Sequence, residues 1–294
     1  MEIKLQGTFN TRDLGGIKTS DGRMVKPHRL IRSDSLFETT TEDHEILKNE
    51  YDLKMILDLR TFNELSEQAP VSIPGTTWVH LPLLQSGSPA ARESAHDDGP
   101  TEKSLDNSES NPAARESKDG QDDQDANLSM AQIFQTSIAQ VNYDVPGAMN
   151  KMYESLLTDE YSINAIKSFF EILLANKDGA VLWHCTGGKD RTGVLSLLLL
   201  KLLGADDKDI MADYLLSEEN LKPQTDAIIE EIRKENDDSL LLEQARILNS
   251  VLPEYSQGIL DNIEKLGGDV YGYANKYIGL TESDIDELKL NYLV

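Results

Sequence analysis

The segment AVLWHCTGGKDRTGVLSLLLLKLLG, residues 180–204, is the most informative part of this chain. Its first six residues have the apolar, β-type composition of a buried strand. The run TGVLSLLLLKLLG predicts a helix that starts near Thr192 and ends at Gly204. A strand that passes through a glycine-containing loop into a helix is typical of α/β proteins, in which the sheet is largely parallel. The segment therefore predicts an α/β fold with helices flanking a mostly parallel central sheet.

Strand and helix patterns alternate in the flanking sequence, which supports the same fold class. Three runs are typical of strands: MVKPHRLIRSD (24–34), MILDL (55–59) and TWVHLPLL (77–84). Further runs predict helices: TTTEDHEILKNEY (39–51), INAIKSFFEILLAN (163–176), ADDKDIMADYLLSEENL (205–221), TDAIIEEIRKEN (225–236), LLEQARILNSVLPEY (241–255) and the C-terminal stretch in which Thr281 is a natural cap.

Residues 86–129 differ in composition from the rest of the chain. This stretch contains two leucines and no aromatic residue, and its net charge is −7. The hexapeptide PAARES occurs twice within it, at 89–94 and at 112–117. So little apolar surface cannot offset the entropy cost of ordering the chain. The sequence therefore predicts a single domain over residues 1–294 that carries a disordered acidic insert at 86–129.

The overall charge and the segment hydropathy exclude several classes of function. A net charge of −24 repels nucleic acid and anionic lipid, so neither is expected as a partner. The N-terminal sequence lacks the apolar core of a signal peptide, and the longest apolar run is too short to cross a bilayer. A single cysteine forms no intramolecular disulfide, which fits a reducing compartment. The expected location is cytoplasmic.

The loop around Cys185 has the residues needed to bind an anion and attack it. The predicted strand brings Cys185 to the carboxyl edge of the sheet, and the helix that follows directs its positive dipole end at the same place. Both the helix dipole and the loop N–H groups favour a thiolate, which is the nucleophilic form. Arg191 supplies a planar fork of donors that matches two phosphate oxygens. The candidate phosphate-binding residues are Thr186, Gly187, Gly188, Lys189, Asp190, Arg191 and Thr192.

The sequence H-C-x-x-G-K-D-R-T-G at 184–193 resembles the signature loop of cysteine-dependent phosphatases. Its G-K-D-R form is similar to that of bacterial tyrosine phosphatases with dual-specificity or lipid-phosphatase-like activity. The resemblance extends along most of the chain, apart from the insert. It includes FNTRDLGG (9–16), LIRSDSL (30–36), MILDLRTFNE (55–64), DYLLSEENL (213–221) and GLTESDIDEL (279–288).

The resemblance implies a phosphotyrosine-phosphatase-like fold and a mechanism that needs no metal or cofactor. Cys185 would attack phosphorus to form a cysteinyl phosphate while Arg191 and the loop N–H groups stabilise the equatorial oxygens. A general acid would protonate the leaving oxygen, and water would then hydrolyse the intermediate. His184 would tune the thiol, and Thr192 would assist the second step.

Two aspartates are candidates for the general acid, and a third possibility is some other group. Asp190 lies inside the loop and is the first candidate, and Asp58 of the D-L-R element is the second. Asp159 is in the region where commoner phosphatases carry this aspartate, but here the sequence predicts a helix, and Asp159 resembles a helix-end charge.

Five charged residues near these motifs have expected roles. Lys189 either contacts the substrate phosphate or lies at the rim of the site. Arg12 and Asp13 are expected to brace the loop. Arg60 and Glu64 are expected to form a structural ion pair beside the D-L-R turn.

The predicted substrates are phosphotyrosine proteins or small phosphoesters. The acidic surface ranks membrane phosphoinositides below them, although lysine and aspartate in such loops accompany lipid substrates. A rival hypothesis is a binding module that captures phosphorylated partners without turnover, but such modules usually lack the cysteine or the arginine. Sulfur transfer by Cys185 is a second rival hypothesis. The G-K-D-R run and Thr192 argue against it, because sulfur transfer does not require a phosphate-binding loop.

Overall fold

The computed structural model describes residues 1–85 and 129–294. Five strands in this part of the chain form one sheet with the order β1-β2-β5-β3-β4. Strand β1 pairs antiparallel with β2, and every other pairing is parallel. The strands are β1 (Arg12–Asp13), β2 (Leu30–Ser33), β3 (Leu53–Asp58), β4 (Thr77–His80) and β5 (Ala180–His184). The prediction of an α/β fold with a mostly parallel sheet is confirmed.

Helices make up most of the remaining described residues. They are α1 (Thr41–Asn49), α2 (Phe62–Glu67), α3 (Met130–Gln140), α4 (Val145–Thr158), α5 (Glu160–Ala175), α6 (Asp190–Leu203), α7 (Asp207–Glu235), α8 (Ser239–Asn249), α9 (Pro253–Gly267), α10 (Val270–Tyr273), a π-helical turn (Ala274–Ile278) and α11 (Glu282–Tyr292). No helix among residues 1–85 and 129–294 has both the length and the apolar character needed to span a membrane.

Strand β5 is central because it is covered on both faces. Ala180 and Leu182 belong to a small apolar cluster that includes Leu47 of α1. Val181 and Trp183, which alternate with them, belong to the large cluster formed with the helices of the opposite face. A strand buried on both faces reads as a continuous apolar run instead of an alternating one, which explains the sequence AVLWH.

Helix α6 passes through the larger core and is apolar on nearly all sides. Every residue of this helix is buried except Asp190 at its first position and Lys201 near its end. A helix that is hydrophobic all round is a buried helix, so α6 fixes the position of the loop that precedes it. Gly204 ends the helix in the left-handed conformation at φ 90°, as predicted.

The local predictions hold at most boundaries. Thr40 and Thr281 each form a capping box at the start of a helix, and β3 contains most of the predicted MILDL strand. The strand predicted over 77–84 ends at His80, because Pro82 lacks the N–H that a ladder requires. Residues 86–128 of the predicted insert lie outside the described part, so the insert and the single-domain organisation stay predictions.

Candidate active site

Cys185 follows the last residue of β5 at the carboxyl edge of the sheet. The flanking parallel strands β2 and β3 end at the same level, where Ser33 and Asp58 are both in register with His184. Ligands of open α/β sheets bind at this edge. Cys185 itself is only 2% exposed, so the thiol lies at the base of the site and not on its surface.

The backbone after Cys185 turns sharply at one glycine. Gly188 has a φ of +66°, and a Cβ atom there would lie 2.4 Å from the carbonyl oxygen of Ser33. No residue other than glycine fits that position. A Cβ at Gly187 would find its nearest neighbour at 3.8 Å, the Cγ of Lys189. Of the two glycines, Gly188 is therefore the one whose position requires glycine.

The backbone N–H groups of residues 186–191 form no hydrogen bond to any residue that the structure describes. Lys189, at the N-cap position of α6, provides no side-chain cap. Buried or half-buried N–H groups are normally paired, so consecutive unpaired donors mark a place for a ligand. Successive N–H groups beside a helix N-terminus bind anions.

Arg191 is held by a buried carboxylate. Its Nη1 donates to Oε2 of Glu64 at 2.6 Å, and its Nη2 donates to Oε1 at 2.7 Å. Thr186 also donates its hydroxyl to Glu64. The Nε–H and the second Nη2 hydrogen of Arg191 donate to no residue within the described ranges, and together they form the side-on fork that matches two phosphate oxygens.

The charges of this pair stabilise each other. Burial acts to raise the pKa of Glu64, but the charge and hydrogen bonds of Arg191 lower it to about 2. Burial acts to lower the pKa of Arg191, and the Glu64 carboxylate raises it above its usual range. Both groups are therefore charged at neutral pH, and the guanidinium is fixed in orientation before a substrate binds.

The predicted pair of Arg60 and Glu64 is wrong. Arg60 instead holds Asp58, with its Nη2 2.7 Å from Oδ2 and its Nε 2.9 Å from Oδ1. The Nε2 atom of His184 lies 3.5 Å from the same Oδ2 atom. Helix α2 begins at Phe62, so Arg60 precedes it and lies closer to Asp58 than to the helical face that carries Glu64.

Asp58 does not suit the role of general acid that the sequence left open. It is fully buried. Burial acts to raise its pKa, but the hydrogen bonds from Arg60 lower it, which favours a permanently ionised carboxylate. An acid that cannot hold a proton near neutral pH cannot deliver one. His184 likewise lies in the core, where burial lowers its pKa and its Nδ1 is 3.1 Å from the Cys185 carbonyl oxygen.

The N-terminal segment supports the loop from behind. The Nδ2 group of Asn10 donates to the carbonyl oxygens of Gly187 and Gly188, at 3.1 and 3.2 Å. Arg12 donates to Oδ1 of that asparagine at 2.5 Å, so it braces the loop through Asn10. Asp13 accepts hydrogen bonds from the N–H groups of Gly15 and His28 instead, so its expected contact with the loop is wrong.

A second arginine connects the loop to helix α7. Arg32 donates to the Gly188 carbonyl oxygen at 2.8 Å and to Asp213 at 2.6 Å. Asp213 also accepts from Arg12 at 2.7 Å. Burial acts to raise the pKa of Asp213, but the two guanidinium groups lower it to about 2. One buried carboxylate thus balances two buried arginines.

Asp190 is the first residue of α6 and lies beside the unpaired N–H groups. Its Oδ1 atom accepts a hydrogen bond from the hydroxyl of Tyr153 at 2.5 Å. The Nζ atom of Lys189 is 3.1 Å from Oδ2. The same Nζ donates to the Leu248 carbonyl oxygen at 2.9 Å, so Lys189 is tied to the end of α8 and does not extend freely toward a substrate.

Thr192 follows Arg191 in the first turn of α6. Its hydroxyl is buried and has no hydrogen-bond partner among the described residues. An unpaired buried hydroxyl costs free energy, so its presence beside the loop indicates a role with a ligand.

Residues 3–294 match the sequence profile of the tyrosine phosphatase family. The "Triple specificity protein phosphatase PtpB" of Mycobacterium tuberculosis is 27% identical over 296 residues, which are 97% of each chain. A "Tyrosine-protein phosphatase" of Nostoc commune is 39% identical over 79 residues, which are 27% of this chain and 26% of that protein.

These matches agree with a site that presents unpaired N–H donors and a fixed guanidinium at a sheet edge. The protein is a phosphoric monoester hydrolase. It belongs to the tyrosine phosphatase family.

Proposed function

We propose that the protein is a cysteine-dependent phosphatase that acts through a cysteinyl-phosphate intermediate and prefers phosphotyrosine. The observation that carries this proposal is the arrangement around Cys185. The sulfur lies at the start of a loop whose N–H groups are unpaired among the described residues, and the same loop leads into Arg191, whose remaining fork matches a phosphate. These are the groups that nucleophilic attack on phosphorus requires.

In the first step the Cys185 thiolate attacks phosphorus. The S–P bond forms as the bond from phosphorus to the leaving oxygen breaks, and Asp190 donates a proton to that oxygen. Arg191 and the loop N–H groups bind the three equatorial oxygens, where charge is concentrated in the transition state. Asp190 suits the donor role because its side chain is 17% exposed at the loop, whereas Asp58 is fully buried.

In the second step water attacks the cysteinyl phosphate. Asp190, now a carboxylate, accepts a proton from the water, and the S–P bond breaks to release phosphate and the thiolate. The hydroxyl of Thr192 would donate a hydrogen bond to the departing sulfur, a role that would account for a buried hydroxyl without a partner among the described residues. This step returns the enzyme to its starting state.

Exposed phenylalanines beside the loop support an aromatic substrate. Phe9, Phe37 and Phe62 are 51%, 43% and 64% exposed. Each lies within two residues of a group that is hydrogen-bonded to the loop. Those groups are Asn10, which donates to Gly187; Ser35, whose N–H donates to the Thr186 carbonyl oxygen; and Glu64, which accepts from Arg191. Aromatic side chains at a rim pack favourably on a phenyl ring.

The charge of the protein supports a protein substrate over a membrane lipid. A net charge of −24 opposes approach to the anionic surface in which phosphoinositides lie. Phosphotyrosine proteins are therefore the proposed substrates, and phosphoinositides are the alternative. A relative is named a triple-specificity phosphatase, so a substrate panel must include several phosphoester classes.

The deciding experiment measures phosphate release in the presence of a chelator. The panel contains a phosphotyrosine peptide, a phosphoserine peptide and a soluble phosphoinositide, and the variants are Cys185→Ser, Asp190→Asn and Asp58→Asn. We expect no turnover by Cys185→Ser and a loss of about 100-fold or more in Asp190→Asn on the peptides. Turnover that survives in Cys185→Ser would overturn the mechanism.

The same experiment separates an enzyme from a binding module. If the unaltered protein releases no phosphate from any substrate but binds the phosphotyrosine peptide in calorimetry, it is a binding module. A loss in Asp58→Asn that exceeds the loss in Asp190→Asn, with both variants folded, would move the acid role to Asp58.

A further inference from the structure

Two buried tyrosines lead to the carboxylate of Asp190. Tyr153 comes from α4 and Tyr214 from α7, and each is 2% exposed. The hydroxyl of Tyr153 donates to Oδ1 of Asp190 at 2.5 Å, and the two phenol oxygens are 2.9 Å apart. A hydroxyl can donate only one hydrogen bond. Tyr153 donates its hydrogen bond to Asp190, so in the contact with Tyr214 it is the acceptor and Tyr214 is the donor. The hydrogen bonds therefore run from Tyr214 to Tyr153 to Asp190.

Both phenols are permanent donors. Burial raises the pKa of Tyr153 well above its usual range, and the charge of Asp190 raises it further. Burial and the charge of Asp190 likewise raise the pKa of Tyr214. Both phenols therefore keep their protons at neutral pH, which preserves the direction of the hydrogen bonds. A third tyrosine, Tyr255, packs on Tyr153 with ring centroids 5.4 Å apart and restrains its ring.

Gly193, the last residue of the signature sequence, leaves room for the Tyr214 ring. A Cβ atom at Gly193 would lie 3.1 Å from Cε2 of Tyr214 and 3.6 Å from Nη2 of Arg32. The glycine after Arg191 and Thr192 thus leaves room for the Tyr214 ring against the first turn of α6. The absence of a side chain at this position is explained by packing, since Gly193 lies in an ordinary helical conformation.

The two oxygens of Asp190 have different partners. Oδ1 accepts the Tyr153 hydroxyl at 2.5 Å, and Oδ2 lies 3.1 Å from Nζ of Lys189. Because Tyr153 occupies Oδ1, an acid proton would be carried on Oδ2, which would exchange its contact with Lys189 for the leaving oxygen. We propose that Tyr153, supported by Tyr214, is the positioning residue that orients Asp190 for proton transfer to the leaving group. This inference rests on the proposed function, in which Asp190 is the general acid.

The test compares two aryl phosphates that differ in how much they need an acid. p-Nitrophenolate leaves readily without protonation, whereas the phenolate of phenyl phosphate depends on a proton donor. The value of kcat/KM reports the step in which the leaving group departs. We expect Tyr153→Phe to lower kcat/KM about tenfold or more on phenyl phosphate, and less than about threefold on p-nitrophenyl phosphate. Equal losses on both substrates, or no loss on either, would overturn the inference.

Two further variants control for stability. Tyr273→Phe also removes a buried hydroxyl, which donates to the Leu157 carbonyl oxygen at 2.9 Å on another part of α4, and it should leave both kcat/KM values unchanged. If Tyr153→Phe does not fold, Tyr214→Phe replaces it. We expect a smaller loss there with the same preference between the substrates, and an equal loss on both would overturn the inference.

Cys185→Ser separates this inference from the proposed function. If that variant retains turnover, the proposed function fails and the role of Tyr153 fails with it. If it is inactive while Tyr153→Phe treats the two substrates alike, only the positioning role fails.

Discussion

Arg191 and Glu64 form a buried, bidentate ion pair, with N–O distances of 2.6 and 2.7 Å. Glu64 holds the guanidinium by its two Nη atoms and leaves the fork formed by Nε–H and the second Nη2 hydrogen without a partner among the described residues. Helix α2, which carries Glu64, is only six residues long and is fixed by a capping box at Thr61. The orientation of Arg191, the proposed phosphate-binding arginine, therefore depends on one short helix outside the signature loop.

Glu64→Gln should weaken phosphate binding without removing any group that touches the substrate. The amide NH2 would face the guanidinium, so the fork would lose its fixed orientation. We expect kcat/KM on p-nitrophenyl phosphate to fall by about 10- to 100-fold, and inhibition by inorganic phosphate to weaken in parallel. Glu45→Gln on α1 changes an exposed glutamate and is the matched control. Unchanged phosphate inhibition in folded Glu64→Gln would contradict this role.

Gly188→Ala should disrupt the loop, whereas Gly187→Ala should be tolerated by the fold. An alanine at 188 must adopt a φ near +66° with its Cβ 2.4 Å from the Ser33 carbonyl oxygen. We expect a loss of about 2 kcal/mol or more in the free energy of unfolding. At 187 the added methyl meets only an ordinary contact, and the change should stay within about 1 kcal/mol. Urea unfolding of both variants measures the difference, and equal effects would contradict it.

The stability of the protein should fall in acid because of two buried carboxylates. Burial opposes ionisation, but the neighbouring arginines lower the pKa of Glu64 from 4.5 and the pKa of Asp213 from 3.8, both to about 2. A lowered folded pKa contributes stability that is complete above the unfolded value and is lost as the pH falls toward the folded value. The loss should therefore occur between about pH 4.5 and pH 2.

Asp213→Asn tests this dependence directly. The variant leaves Arg12 and Arg32 without their shared carboxylate, so its free energy of unfolding at pH 7 should be lower by about 3 kcal/mol or more. Its stability should then fall less steeply below pH 4 than that of the unaltered protein. Asp178→Asn, which changes an exposed aspartate, should keep the original pH profile. A profile in Asp213→Asn as steep as the original would show that this carboxylate is not responsible.

Phe37→Ser and Phe62→Ser should raise the KM for a phosphotyrosine peptide and leave kcat unchanged. Each exposed ring is expected to contribute about 1 kcal/mol of apolar contact, which corresponds to an increase of about fivefold in KM. Leu290→Ser on α11 removes a side chain that is 73% exposed, and it should have no effect. If both phenylalanine variants keep the original KM, the aromatic rim does not recognise the substrate.

The sequence predicts the strand, loop and helix around Cys185 well because local residues determine them. A continuous apolar strand, one obligatory glycine and a buried helix capped by Gly204 are each specified within a few residues. The capped helices at Thr40 and Thr281 are predictable for the same reason.

The partners of the loop are harder to predict, because they are set by tertiary packing. Arg60 and Glu64 are four residues apart, the spacing of a helical ion pair, but the helix starts after Arg60 and the two side chains separate. Tyr153 and Tyr214 fall on the buried faces of their helices, which the sequence shows, yet nothing local indicates that their hydroxyls meet Asp190. Asp213 belongs to a segment that resembles a motif of the family, but its partners Arg12 and Arg32 are more than 180 residues away along the chain.

The supports of the phosphate loop also determine when activity can arise as the chain folds. The loop carbonyls are bonded to Asn10 across 177 and 178 residues, and Arg32 bridges the loop to Asp213 across 181 residues. Contacts of such long sequence separation form late, because their closure entropy must be overcome before they stabilise anything. Synthesis must extend through α7 before the loop acquires these supports. A nascent chain that already contains Cys185 but not yet α7 therefore still lacks Asp213, the carboxylate that holds the two arginines behind its loop.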